Sequence, residues 1–583
     1  MRSYRSDVLV VGSGGAGMRA AIAAAELGTV VVVSKGPLGR SGATVIAGAD
    51  VMADGASLHR LGYGGAAEDS PEAWAEDIVI EGFFLNDENL VKTYVENAGA
   101  RVEELIRWGL VIRDVERRAI LTTGASIAAA LRRGLASAGQ RVTLVPHAMV
   151  VDLLLRDGRV VGAVGVDYET GELILFKSKA VVLATGGWHQ AYMFNAGADE
   201  LTGDGQAMAY RAGAELVDME MVTFCPNVLL APPRYRGSLV LYVIPGMLLN
   251  SRGDEFLAWE DPQVKKLALT TEWNKLLLSK ASMREVLAGR GSPNGGVYFS
   301  LKHMPVEVFD SLEEILPNWR FQGDDFSQLF ADLREGHAAE VGPAAEYFEG
   351  GIRVDERCRT SLEGLYAAGE CTGGLFGANR VAAATTEMLV FGEVAGREAA
   401  RFADEVDEKE PSREDVEQLA ESITAPLCQK GGESPNVLWH EIRDIAYQKV
   451  GVIREQTQLR EAIEKLKELR EKIYNCSVSC PRRNKNREWL RALELRNLVD
   501  CLLAAAVAAD ARDESRGVHV RRDRPEVDHE NWRFHLVVRA SDEGPLLARE
   551  PVKSDKSPPV PRMSYEEAIV WAAETLLARE EGR

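Results

Sequence analysis

No apolar run in these 583 residues approaches the roughly 18 needed to cross a bilayer, so direct membrane insertion is not expected. Positive charge is also scarce: 68 Lys and Arg stand against 88 Asp and Glu, a formal net charge of -20. A nucleic acid or an anionic lipid surface requires clustered cations, so neither is expected as a partner. With a first strand expected from Asp7, no positively charged targeting segment followed by an apolar stretch is expected. The expected location is cytoplasmic; the variant reading is peripheral attachment at the inner membrane face through another subunit. The seven cysteines, at 225, 358, 371, 428, 476, 480 and 501, form no disulfide framework. Cys476 and Cys480 have no second cysteine pair to complete a tetrahedral site and read as small residues in a helical linker. The nine histidines are dispersed, and no metal is expected.

What the chain does have is glycine in two informative places. Asp7 to Val11 reads as a buried parallel strand, and Gly12, Gly14 and Gly17 follow it in G-x-G-x-x-G spacing. The first glycine makes the turn, the second admits a pyrophosphate to the backbone, and the third lets helix pack on strand. Some 350 residues later comes GLYAAGECTGGLFGANR, 364 to 380, a glycine-lined strand end carrying one acid and one arginine. A nucleotide fold that opens at residue 7 and returns near 365 implies a flavin site assembled from both ends of the chain. The second strand, 29 to 36, ends in Ser34 and Lys35 rather than an acid for a ribose, which disfavours NAD. LGRSGATVIAGA, 38 to 49, is small and polar enough to wind around a flat ring. KAVVLATGG ends a strand in Ala184, Thr185, Gly186 and Gly187, and TGDG starts a helix with Asp204 able to reach an adenosine half.

With this length, two or three domains are expected. Residues 230–340, with prolines, aromatics and short amphipathic helices, read as an inserted capping domain. Beyond Pro411 the chain turns helical; 454 to 474 keeps apolar residues at spacings of three and four. The expected fold class is α/β: a Rossmann-type FAD-binding domain over 1–229 and 341–405, an inserted α+β capping domain over 230–340, a C-terminal helical bundle over 411–512, and an extended strap with one short strand over 513–583.

GSGGAG, SKGPLGRSG, LATGG, TGDG, GVYFSLKH, EGGIRVD, AAGE with GANR, LRALELRNLVD and ESRGVHVRRDRPEVDHENW together resemble, over nearly the whole chain, the flavoprotein subunits of succinate dehydrogenase and fumarate reductase. Relatives of that family include L-aspartate oxidase and the adenylylsulfate reductase alpha subunit. The resemblance implies FAD held by Gly12, Gly14, Gly15, Ala16, Gly17, Ser34, Lys35, Arg40, Ser41, Gly42, Ala184, Thr185, Gly186, Asp204, Glu370, Arg380, Thr385 and Thr386, with Glu370 on a ribose hydroxyl. Members that attach FAD covalently carry a histidine after the Arg-Ser pair. Here Gly42 follows Arg40 and Ser41, so a non-covalent FAD is expected.

The resemblance also implies a catalytic set of two histidines and two arginines gripping the substrate carboxylates. Arg380 in GANR matches one arginine and is suited to bidentate carboxylate binding. Cys225 in TFCPN and Glu346 in EYFEGGI stand where the histidines are expected, and counting back from Ser279-Lys280-Ala281 puts Lys275 at the proton-donating arginine. Like charges about 4 Å apart repel by about 4 kcal/mol at an effective dielectric of 20, so an ionised Glu346 disfavours a dianion. The expected activity is hydride transfer between flavin and a small, non-standard carboxylate, with electrons exchanged with a separate iron–sulfur protein. The alternatives are adenylylsulfate-reductase-like flavin chemistry, or an FAD electron-relay or scaffold subunit with a degenerate substrate site.

Overall fold

The computed structural model describes residues 1–581 apart from 243, 245, 271, 272, 317–319, 322, 543, 555, 557 and 559, so parts of the expected capping domain and strap lie outside the described residues. A seven-stranded sheet forms the base, with Arg2–Val11 at its centre. Val30–Ser34 and Leu173–Leu183 flank it in parallel, Val142–Pro146 extends one side, and the short strand Leu365–Ala367 pairs in parallel with Leu173–Leu183. Ala148–Arg156 and Arg159–Asp167 complete the sheet as antiparallel hairpins. The Val-rich central strands are buried almost completely, as a parallel sheet covered on both faces requires.

Register sets up the site. Val11 lies opposite both Val33 and Leu183, and Leu183 lies opposite Ala367. The loops beginning at Gly12, Ser34, Ala184 and Ala368 therefore leave the sheet at one carboxyl edge, where open α/β sheets bind their ligands. Behind that edge the helices Gly15–Ala24 and Ala384–Glu405 pack backbone to backbone. A Cβ on Gly396 would meet the Ala20 carbonyl at 2.1 Å, and one on Gly392 the Ala16 carbonyl at 2.6 Å, so these two glycines, one turn apart, set the approach.

A second, four-stranded antiparallel sheet runs in the order Val222–Leu229, Ala339–Phe348, Val297–Ser300, Met247–Leu249, and the helix Asn274–Glu285 packs near it. The helices Arg413–Cys428, Pro435–Lys449, Gln456–Tyr474 and Arg487–Ala511 follow. Two local expectations fail. The C-terminal strap contains the strand Phe534–Arg539 but also a 17-residue helix, Tyr565–Glu581, whose buried Ile569 and Ala572 pack into the capping core. Cys476 and Cys480 lie not in a helix but in the irregular segment after Tyr474, where Ser477 N–H bonds the Glu433 carbonyl.

The C-terminal segment is tied in by buried ion pairs. Arg512 reaches Glu220 at 2.6 Å, Asp218 at 3.3 Å and Glu514 at 3.3 Å, all essentially without solvent exposure. Removing one member of such a network leaves an uncompensated charge and costs about 3–5 kcal/mol. The network anchors Asp218 and Glu220, immediately before the strand that carries Thr223 and Cys225.

Candidate active site

The glycine loop is too tight for any other residue. Gly12 has φ 109°, and a Cβ there would lie 2.1 Å from the Ala184 carbonyl; a Cβ on Gly17 would lie 2.0 Å from the Gly12 carbonyl. Gly14 caps the first helix with no side-chain hydrogen bond, so the N–H groups of that helical turn face the same edge. Gly15 N–H donates to Thr44 Oγ1 at 2.9 Å, and Ser13 Oγ to Ser34 Oγ at 2.7 Å, tying the loops after the first two strands together. Gly186 and Gly369 have φ of 74° and 76° at the two neighbouring strand ends. Glu370 accepts from Gly187 N–H at 3.1 Å through one oxygen, while its buried Oε1 has no hydrogen-bond partner among the described residues. A glycine-lined cradle at a helix N-terminus and a buried Glu370 oxygen with no hydrogen-bond partner among the described residues fit a dinucleotide cofactor with a ribose near Glu370.

Other residues named from the sequence are engaged differently. Lys35 Nζ lies 2.8 Å from Asp204 and 3.0 Å from Glu494, and bonds Thr202. Burial opposes its charge, but the two carboxylates outweigh burial and raise its pKa above the ordinary lysine range. Asp204 also accepts from Asn497 at 2.8 Å, so the helix Arg487–Ala511 braces this end of the cradle. The Thr385 and Thr386 hydroxyls donate to the backbone carbonyls of Asp50 and Met52, and Thr386 N–H donates to the Ala383 carbonyl at 3.1 Å at the start of the long helix. Ser41 Oγ donates to the Pro37 carbonyl at 3.1 Å, Arg40 is exposed, and Gly42 has φ 79° with open space where a side chain would stand.

Three of the four residues named for catalysis meet. Arg380 Nη2 lies 2.9 and 3.0 Å from the two Glu346 oxygens, and Lys275 Nζ is 3.6 Å from Glu346 Oε2. Glu346 owes its direction to a β-bulge: Thr223 pairs with Tyr347 and Phe224 with Ala345, leaving Glu346 as the extra residue. Burial works against its charge, yet Lys275 and Arg380 prevail and hold its pKa at about 2, so the carboxyl is ionised at working pH. Arg380 also lies over the Tyr347 ring at 4.3 Å, and Tyr347 hydrogen-bonds Glu387. The fourth residue, Cys225, sits elsewhere. It pairs with Ala344 and packs in an apolar cluster with Phe194, Val228 and Leu230.

Sequence reasoning passed over several members. His189, after the TGG loop, bonds the Glu346 backbone carbonyl at 2.9 Å; burial pushes its pKa down to about 4, so it is neutral. Glu349 and Glu387, also passed over, and Glu370, which the sequence had named for the cofactor, are pushed up to about 8, burial being the leading cause for each. Only the second glutamate of EYFEGGI, three residues after Glu346, offered a sequence signal for Glu349.

A family profile described as an FAD binding domain matches residues 7–120 and 113–386, and one described as the fumarate reductase flavoprotein C-terminus matches 439–564. The chain belongs to the succinate dehydrogenase and fumarate reductase flavoprotein family. It is 33% identical over 577 residues to a subunit of the Methanothermobacter marburgensis fumarate reductase (CoM/CoB), covering 94% of this chain and 99% of that one. The Haemophilus influenzae fumarate reductase flavoprotein subunit is 31% identical, covering 97% of this chain and 98% of that one. The solved Mycobacterium smegmatis Sdh1 superposes with a TM-score of 0.85 at 31% identity, covering 96% of each chain. Archaeoglobus fulgidus adenylylsulfate reductase superposes at 0.76 with 19% identity over 95% of this chain and 97% of that one, a likeness of fold alone. This family member is an FAD-dependent oxidoreductase acting on CH–CH bonds. No helix among the described residues is long and apolar enough to cross a membrane.

Proposed function

We propose that this flavoprotein transfers hydride between its FAD and a small carboxylate bearing one negative charge, and exchanges electrons with a separate iron–sulfur protein. The observation that carries the substrate reading is the charge of the catalytic trio. Arg380 and Lys275 contribute two positive charges, and the ionised Glu346 cancels one. The net of one positive charge balances a single carboxylate. A second carboxylate would lie in a pocket whose other acids are already neutral through burial, with no remaining cation of the trio to receive it.

Bound FAD supplies the hydride-accepting or hydride-donating ring atom; the residues do the rest. Arg380 orients the substrate carboxylate by charge-assisted hydrogen bonds. Lys275, on the helix Asn274–Glu285, holds the proton exchanged at the neighbouring carbon. Tyr347 and Glu387 steady the Arg380 plane from below. Gly42, standing where a covalently attaching relative has histidine, supports a non-covalent flavin; flavin that stays with acid-precipitated protein contradicts that reading.

One observation favours a second reading, an electron-relay protein with a degenerate pocket: the guanidinium that should meet substrate is bonded to both oxygens of Glu346. Reoxidation of the reduced protein separates the two. Monocarboxylate enoates should reoxidise it faster than fumarate, sulfite or adenylylsulfate. Reoxidation by none of these, but readily by a ferredoxin-like protein, establishes the relay instead.

A further inference from the structure

We infer that Thr223 and Glu349 form a proton relay that recharges Lys275. The inference rests on the reading of Lys275 as the proton-holding group.

Glu349 follows directly on the strand that ends at Phe348 and is 2% exposed. One of its oxygens shares a hydrogen bond with the Thr223 hydroxyl, and the other is buried with no hydrogen-bond partner among the described residues. The charged groups that act on it are Arg380 and Glu346; burial is the larger influence, and it keeps the carboxyl protonated to about pH 8. A buried acid of this kind is a proton store rather than an ion-pair partner.

Thr223 has a second neighbour. A cavity of about 10 Å³ is lined by Thr223 and Lys275, together with Phe224, Ser279, Val452 and Tyr565 among others. That volume is about what one water needs, and Thr223 and Lys275 both line it. The order Glu349, Thr223, single-water cavity, Lys275 is thus continuous.

The proton balance is simple. After Lys275 gives its proton to substrate carbon it is left as a neutral amine, and it takes a proton from the cavity water. That water takes the Thr223 hydroxyl proton, and Thr223 oxygen takes the acid proton of Glu349. Glu349 is left as a carboxylate within the field of Arg380 until solvent returns a proton. One proton enters and one leaves per turnover, and no electrons move. In the oxidative direction each transfer reverses. Thr223 and Glu349 act through Lys275 and are positioning residues.

The test uses the full FAD-loaded chain and four variants. Thr223→Val and Glu349→Gln should lower kcat by about ten- to a hundredfold with KM within about twofold, shift the alkaline limb of the kcat pH profile, and raise the solvent isotope effect. Thr223→Ser should restore most of the rate, which a packing role alone does not require. Independently of turnover, infrared spectroscopy of the protein at neutral pH should show a protonated-carboxyl band that Glu349→Gln removes and Thr223→Val shifts. Absence of any band lost in Glu349→Gln overturns the relay, as does a Thr223→Val enzyme with wild-type kcat and isotope effect. Lys275→Met distinguishes the levels. If it turns over normally, the reading beneath the relay falls and takes the relay with it; if it is inactive while Thr223→Val and Glu349→Gln run at full rate, the relay alone falls.

Discussion

The cradle proposed to hold FAD and the trio proposed to meet substrate lie near each other but are made from opposite materials. The cradle is backbone: glycines at Gly12, Gly17, Gly186 and Gly369, strand ends in register, and the N-terminus of the first helix. The trio is side chain: two cations and one carboxylate brought from residues 275, 346 and 380, with a bulge aiming the middle one. A backbone cradle tolerates almost no substitution because a single Cβ fills it. A side-chain site changes its preference with one residue and leaves the fold intact. The family can therefore keep one cofactor while its members take different substrates.

The sharpest break in that comparison is Arg380→Met. It should lower kcat/KM by about a thousandfold while retaining FAD, since the cradle is backbone and the Arg380 side chain, though also named from the sequence for the cofactor, is bonded to Glu346. Unchanged turnover with full FAD content removes Arg380 from catalysis. Gly17→Ala should do the reverse: the new Cβ meets backbone that cannot rotate away, a strain of about 1–3 kcal/mol that cuts the flavin retained after gel filtration by about tenfold. Full flavin content in that variant contradicts the cradle geometry.

Glu346 supplies a pH signature on the side-chain half. Its folded pKa of about 2 lies below the ordinary 4.5, so its contribution is complete above pH 4.5 and is lost as pH falls through about 2. The full contribution is about 3 kcal/mol, and Glu346→Gln should flatten that part of an acid-denaturation curve. An acid limb identical in wild type and Glu346→Gln counts against the ion-paired carboxylate. Cys225→Ala should have the smallest effect, about 1 kcal/mol of stability from lost packing and less than threefold in kcat, because Cys225 lies among apolar side chains. A tenfold loss of turnover there shows that the cysteine touches the chemistry.

The two halves were not equally legible in the sequence. The cradle follows from strand periodicity and glycine spacing, local signals that survive without any knowledge of the fold. Arg380 and Glu346 stood out because GANR and EYFEGGI carry them beside glycines, and Lys275 could be counted to from SKA. The ionised state of Glu346 was not legible, since it depends on two cations 71 and 34 residues away in the chain meeting one carboxylate. Nor was the Lys35 bond to Glu494, which spans 459 positions, or the pairing of Thr223 with Glu349 across two strands. The helix Tyr565–Glu581 was hidden for another reason: the prolines and arginines upstream of it, from 545 to 562, set an extended tone that the last segment does not share.

The claim that one net positive charge in the trio selects the substrate is tested most directly by one ratio: kcat/KM for a monocarboxylate enoate over kcat/KM for fumarate, measured in wild type and in Glu346→Gln. The account predicts a ratio above one in wild type that falls by about tenfold or more in Glu346→Gln, because removing the carboxylate raises the net charge to two and admits a dianion. A wild-type ratio below one, or a ratio unmoved by Glu346→Gln, contradicts it.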